Sequence, residues 1–290
     1  MKHLNYILWL ITFIGMSVLK ASAYDACIEG IYYNLDSKAK TAEVTSGDSK
    51  YTGSVAIPVS VENKGVVYPV TSIGKSAFEQ CSRLTSVSIP NGVLSIKDDA
   101  FYKCSNLTSV KLPTGLNNLG RAAFKECLSL TSMNLPNTLV EIGYSCFHGC
   151  QNLQGDIIIP NGVKTIGMRT FDGCKRITRI VIPESVTEIG ELAFSNCTEL
   201  VDIEMPSSVK SIGDAAFVYC QKIKSITIPE GVERIGRDFF YGCRNLKNVT
   251  LPQTITEIGE LAFGDCFNLT SISIPDPVIS IEIMAFRGCI

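Results

Sequence analysis

Ile73-Gly74-Lys75-Ser76-Ala77-Phe78-Glu79-Gln80-Cys81-Ser82-Arg83-Leu84-Thr85-Ser86-Val87-Ser88-Ile89-Pro90 is the first clear copy of a unit that recurs through the rest of the chain. Its phenylalanine returns as Phe101, Phe124, Phe147, Phe171, Phe194, Phe217, Phe240, Phe263 and Phe286. The step is 23 residues throughout, except for one step of 24 between Phe147 and Phe171. A cysteine follows three residues after each phenylalanine, from Cys81 to Cys289, and a proline closes the β-type run from Pro90 to Pro275. A fixed period of this length predicts a solenoid, in which each unit buries its apolar face only against its neighbours.

The columns of the unit have physical readings. Over residues 84–89, Val87 and Ile89 face one way and Ser86 and Ser88 the other, by the strand period of two. Adjacent coils then pair these strands into a parallel sheet on one face, and proline ends each strand by removing a donor. Val93 and Ile96 bring further apolar groups inward on the return. Glycine holds the next corner in eight of ten copies; Lys97 and Glu282 are the exceptions, so the corner does not demand a positive φ. The stretch from corner to cysteine is expected to form one helical turn, with Phe101 and Cys104 on one face at i, i+3. The expected fold class is an α/β repeat solenoid with the phenylalanine rings stacked down its core.

The Ala-Phe-x-x-Cys and Ile/Leu-Pro signatures resemble the BspA-like leucine-rich repeats of bacterial surface proteins, over about residues 71–290. The resemblance implies a right-handed leucine-rich-repeat solenoid in a secreted or surface-exposed protein of Bacteroidetes or other host-associated microbes. It also implies non-catalytic protein recognition. Some members bind host matrix or plasma proteins such as fibronectin and fibrinogen.

The ends depart from the period. Residues 1–23 read as a secretory signal: Lys2 is the basic start, residues 7–19 are a mostly apolar run, and Ala21-Ser22-Ala23 is a cleavage site. The apolar run is short for a membrane span, and no later segment could cross a bilayer. An uncleaved anchor and a lipid anchor on Cys27 are the alternatives. Residues 24–70 read as a β-rich N-terminal cap on a degenerate coil. Short strands are expected at Ile31-Tyr32-Tyr33 and Ala42-Glu43-Val44, and nine extra residues around Asn63-Lys64-Gly65 predict a hairpin. The solenoid then occupies residues 71–290. At Cys289-Ile290 three readings stay open: a fragment, a last half-coil that caps the stack, or a partner that covers the exposed sheet edge.

Composition narrows the function classes. The chain is 46% hydrophobic with a net charge of −2, which supports a packed core and argues against nucleic-acid binding. His148 is the one histidine outside the signal, so histidine-based catalysis and multi-histidine metal sites are disfavoured; no cofactor is implied. Ten cysteines in one column, all pointing inward alike, read as reduced core thiols rather than disulfides. Cys146-Phe147-His148-Gly149-Cys150 looks like a metal motif, but Cys150 is the column cysteine, Cys146 replaces the alanine of Ala-Phe, and His148 falls at a variable position expected to be exposed. Asp98-Asp99 reads as a solvated turn. Two Leu-Pro-x-Thr stretches lack the glycine of a wall-sorting signal, and four Asn-x-Ser/Thr sequons, at Asn106, Asn196, Asn248 and Asn268, arise from repeat register.

The outward strand positions form two columns, mostly small and polar at both ends. In the middle, Ile158 and Val181 should be neighbours flanked by Asp156, Arg179, Asp202 and Glu204, with a bulge near Gly155. An apolar centre with a charged rim suits a protein ligand. The reading is therefore an exported, non-enzymatic recognition module at the cell surface or in the medium. Glycan or nutrient capture is one alternative, weakened by the loss of Trp9 with the signal. A structural role in the cell envelope, through association at the open C-terminal edge, is another.

Overall fold

Most repeat units fold into two short strands and a run of turns. The structure, a computed structural model, describes residues 24–290; the signal read over residues 1–23 lies outside the described residues. The first strand is the one that the alternation at residues 84–89 predicts. Leu84–Ser88 and Ser109–Lys111 pair in parallel, as do Gln154–Ile158, Arg176–Val181 and Asp202–Glu204, and again Ser225–Thr227 and Asn248–Thr250. Residues 132–134 keep the sequence pattern without strand geometry, and the ladder breaks again after Asp202–Glu204. A separate three-stranded sheet therefore stands in the middle of this face.

The second strand goes beyond the sequence expectation. It is two residues long in each coil, from Ser95–Ile96 to Ser280–Ile281, and is centred on the Ile96 column. Leu119 pairs with Ile96 on one side and Ile142 on the other, so each sequence column is a row in space. The result is a parallel β-solenoid of about nine turns.

The α/β expectation is corrected here: the described residues contain no helix. The stretch between corner and cysteine is a chain of β-turns. Ala77 N donates to Gly74 O and Cys81 N to Phe78 O, closing turns within the coil, while Ser76, Phe78 and Gln80 donate to Asp98, Ala100 and Tyr102 of the next coil. A helical turn would aim its amides along its own axis, whereas the alternating turns aim every second amide at the next coil. The alternation requires two left-handed residues per coil, Ser76 (φ 54°) and Gln80 (φ 57°) in the first, and the same two positions are left-handed in every coil down to Met284 and Gly288. None of these residues is β-branched, as their conformation demands.

The corner glycines have another cause. None of them has a positive φ. A Cβ on Gly143 would lie 2.4 Å from the backbone nitrogen of Arg121, and one on Gly120 would lie 2.5 Å from that of Asp98. At Gly120 and Gly143 the adjacent coils approach too closely for a side chain, whereas the corner admits one at Lys97 and Glu282. Gly143→Ala is expected to cost about 1–3 kcal/mol, read as a lower urea midpoint at unchanged m-value; an unchanged midpoint would show that the coils separate freely there.

The N-terminal segment is antiparallel. β1 (Ala26–Ile28), β2 (Ile31–Asp36) and β3 (Thr41–Thr45) form a meander, and β4 (Gly53–Ala56) pairs in parallel with Leu84–Ser88. β5 (Ser60–Asn63) and β6 (Val66–Ile73) form a hairpin whose two loop residues, Lys64 and Gly65, are both left-handed, as a type I′ turn requires. β6 continues as the first rung of the second ladder, between β3 and Ser95–Ile96.

The phenylalanine ladder is the core. Every column ring from Phe78 to Phe263 is fully buried, and the Tyr51 ring packs at a tilt against Phe78 at its head. Successive centroids are 4.8 Å apart at Phe78 and Phe101 and 6.0 Å at Phe171 and Phe194, within the range of offset stacking. The cysteines are free thiols. Each column thiol from Cys104 onward donates to the carbonyl of the phenylalanine one coil back, as Cys104 does to Phe78 O at 3.0 Å and Cys289 to Phe263 O at 3.3 Å.

Candidate functional site

The middle sheet brings the six site residues named from the sequence into one patch. Parallel register puts Asp156, Arg179 and Asp202 in one row, and Ile158, Val181 and Glu204 in the next. The register shifts between Gly155 and Asp156, where Gly155 is left-handed (φ 84°). This is the irregularity expected from the single 24-residue step.

Ile158 is 64% exposed and Val181 is half-buried beside it. Arg179 lies between two carboxylates, with Nε 3.0 Å from Asp202 Oδ2 and Nη1 4.0 Å from Asp156 Oδ2. All three side chains are about half exposed, so these pairs hold geometry more than they add stability. With Glu204 unpaired, the rim of the apolar centre is net acidic.

Three neighbours escaped the sequence reading. Val201, next to Asp202, is 51% exposed. Lys175 and Arg176 line a groove of about 710 Å³ beside the bulge, with Thr178, Thr198 and Glu199. Val201 carried a legible signal: it interrupts a column otherwise rich in threonine, Thr85, Thr108, Thr131, Thr178 and Thr270.

The other singled-out residues fall elsewhere. His148 is mostly buried rather than exposed as expected, because it packs over the next coil: Nδ1 lies 3.1 Å from Asp172 Oδ2. The distance is that of an ion pair when the imidazole is protonated, and Nδ1 makes no hydrogen bond. Burial pushes the Asp172 carboxyl up, but His148 and the hydrogen bonds from Ser195 and Asn196 outweigh it and hold the group below the ordinary carboxylate range. Cys146 and Cys150 are fully buried, and no cluster of three or more potential metal ligands occurs among the described residues. Asp98 and Asp99 flank Arg121 as exposed ion pairs.

The BspA type leucine rich repeat region matches residues 71–197 and 164–290, in six copies. A leucine rich cell surface protein from Faecalibacterium prausnitzii is 27% identical with a TM-score of 0.68, covering 92% of this chain and 86% of that one. A leucine-rich repeat protein from Bacteroides ovatus is 26% identical with a TM-score of 0.59, covering 92% and 93%. The pneumococcal vaccine antigen PcpA, at 20% identity and a TM-score of 0.64 over 93% and 79%, shares the fold. Comparison with curated proteins returns no match. No helix among the described residues is long and apolar enough to cross a membrane. The repeat that fixes the coils, the ladder and the exposed middle sheet is thus the BspA type, and the chain belongs to the BspA-type leucine-rich-repeat family.

Proposed function

We propose that the chain is a non-catalytic protein-recognition module, exported and displayed at the cell surface or released, whose middle sheet docks a host matrix or plasma glycoprotein. The observation that carries this reading is the exposed Ile158 in register with Val181, inside a rim of Asp156, Arg179, Asp202 and Glu204. A sheet held by coils on both sides is preformed, so binding spends little on ordering the surface. The excess of rim carboxylates suits a partner surface with basic groups around an apolar centre. Residues 24–70 serve as the cap over the head of the core, a role supported by Tyr51 packed against Phe78. The surface location of the Faecalibacterium prausnitzii neighbour supports export.

The test is binding to immobilised fibronectin and fibrinogen. Ile158→Asp with Val181→Asp is expected to weaken binding at least about tenfold, or roughly 1.4 kcal/mol, while circular dichroism stays native. Unchanged affinity in the folded double variant rejects the patch. No saturable binding of the unaltered protein to either ligand rejects host-matrix adhesion.

A further inference from the structure

The second ladder carries a groove of about 860 Å³ over residues 98–191, distinct from the middle sheet of the first ladder. Its floor includes corner glycines of four successive coils, Gly120, Gly143, Gly167 and Gly190; at Gly120, Gly143 and Gly190 the neighbouring backbone is too close for a side chain. Three apolar side chains stand exposed in it: Val140 (57%), Tyr144 (58%) and Met168 (41%). Tyr144 and Met168 occupy a column that is charged in the coils on either side, at Asp98, Arg121 and Glu191. The Tyr144 ring lies across Gly167, where a Cβ would sit 2.5 Å from ring carbon Cδ1.

The charges of the groove are unbalanced. Arg121 is taken up by Asp98 and Asp99. Among the described residues, Glu141 accepts only from the neutral amide of Asn118, and Lys164, Glu188 and Glu191 are exposed without an ion-pair partner. Three carboxylates therefore face one ammonium. Glu141 and Glu188 are outward positions two coils apart: Thr165 pairs with Glu188, and the ladder is interrupted between Glu141 and Thr165.

We propose that this groove binds an extended, cationic peptide segment of a partner protein, with arginine or lysine side chains paired to Glu188, Glu191 and Glu141. The sign of the groove excludes phosphate-rich ligands. A neutral glycan would leave two negative charges uncompensated. A basic side chain uses both features of the lining, because its aliphatic stem packs on Val140 and Met168 while its head reaches a carboxylate or the Tyr144 face. The site does not depend on the middle-sheet reading.

The probe is a fluorescein-labelled, end-capped peptide, Gly-Arg-Leu-Arg-Leu-Arg-Gly, titrated with the purified protein by fluorescence anisotropy. The controls are its glutamate-for-arginine counterpart and competition by maltoheptaose. Saturable binding of the arginine peptide is expected, falling at least about tenfold in Glu188→Gln with Glu191→Gln. Gly167→Ala, which lifts the Tyr144 ring without altering charge, should also weaken binding several-fold. Glu188 and Glu191 are exposed, so the charge variant tests binding without disturbing the core. Ile158→Asp with Val181→Asp should leave the affinity unchanged. The proposal is overturned by equal binding of the glutamate peptide, by affinity unchanged in both groove variants, or by no saturation up to about 1 mM. Displacement by maltoheptaose overturns it in favour of a sugar site, and loss only in the Ile158 and Val181 variant moves the peptide to the other face.

Discussion

Phe147→Ala is expected to destabilise the protein by about 3–5 kcal/mol, measured as the shift in urea midpoint. The ring has no exposed surface and stacks on both sides, 5.7 Å from Phe124 and 5.5 Å from Phe171. Its removal leaves a cavity walled by rigid coils, whose backbone hydrogen bonds to both neighbours limit collapse. In a solenoid the interfaces between neighbouring units carry the stability, so a lesion in a middle coil weakens two interfaces at once. Phe286, only partly buried and stacked on Phe263 alone, is expected to cost distinctly less on the same substitution. A double-mutant cycle between Phe147 and Phe171 should show non-additivity of at least about 0.5 kcal/mol, because the two rings share one contact. A loss below about 1 kcal/mol for Phe147→Ala would show that the ladder is a consequence of the repeat and not its support.

The inward columns were legible because burial acts on residue type. Phe78, Cys81, Val87, Ile89, Val93 and Ile96 are all buried, as alternation and period require. The helical turn was a misreading with a definite cause. Consecutive β-turns, like a helix, place Phe101 and Cys104 three apart on one face, and the two differ only in backbone sign. The left-handed positions that distinguish them carry glycine only at Gly149, Gly173, Gly242 and Gly288 and a varied set of other residues elsewhere, so no glycine column marks them in the repeat. The two-residue strands at the Ile96 column are too short to display a period of two. On the candidate site, Ile158 was visible because it interrupts a polar column, while Lys175 and Arg176 lie outside the two columns that were read. The groove at Tyr144 was hidden for the same reason: it lies on the unexpected second ladder.

Raising the pH above about 9 is expected to unfold the protein steeply, because the core is also a column of acids. Cys104, Cys127, Cys146, Cys150, Cys174, Cys197, Cys220, Cys243 and Cys266 have no exposed surface. Burial pushes every one of these thiols above its ordinary value, Cys150 and Cys266 to about 12. In the unfolded chain they ionise near 8.5–9. A pKa raised by folding gives stability that is complete below the unfolded value and is lost as pH rises toward the folded one, since the unfolded chain then binds fewer protons. At pH 9.5 each thiol withdraws about 0.8 kcal/mol, together roughly 7 kcal/mol, comparable with the whole stability of an ordinary domain. Urea midpoints under reducing conditions at pH 7.5, 8.5 and 9.5 check this. Cys174→Ala, Cys197→Ala and Cys220→Ala combined should flatten the fall by about a third, whatever their cost at neutral pH. Stability that stays level across this interval would show that the folded core admits thiolates. The geometry argues against that, because each column sulfur from Cys104 to Cys266 lies 3.0–3.3 Å from a phenylalanine carbonyl oxygen. A protonated thiol donates to that oxygen, and a thiolate would face it charge against dipole, with the cost of burial outweighing the backbone N–H of the preceding column cysteine that favours the charged form.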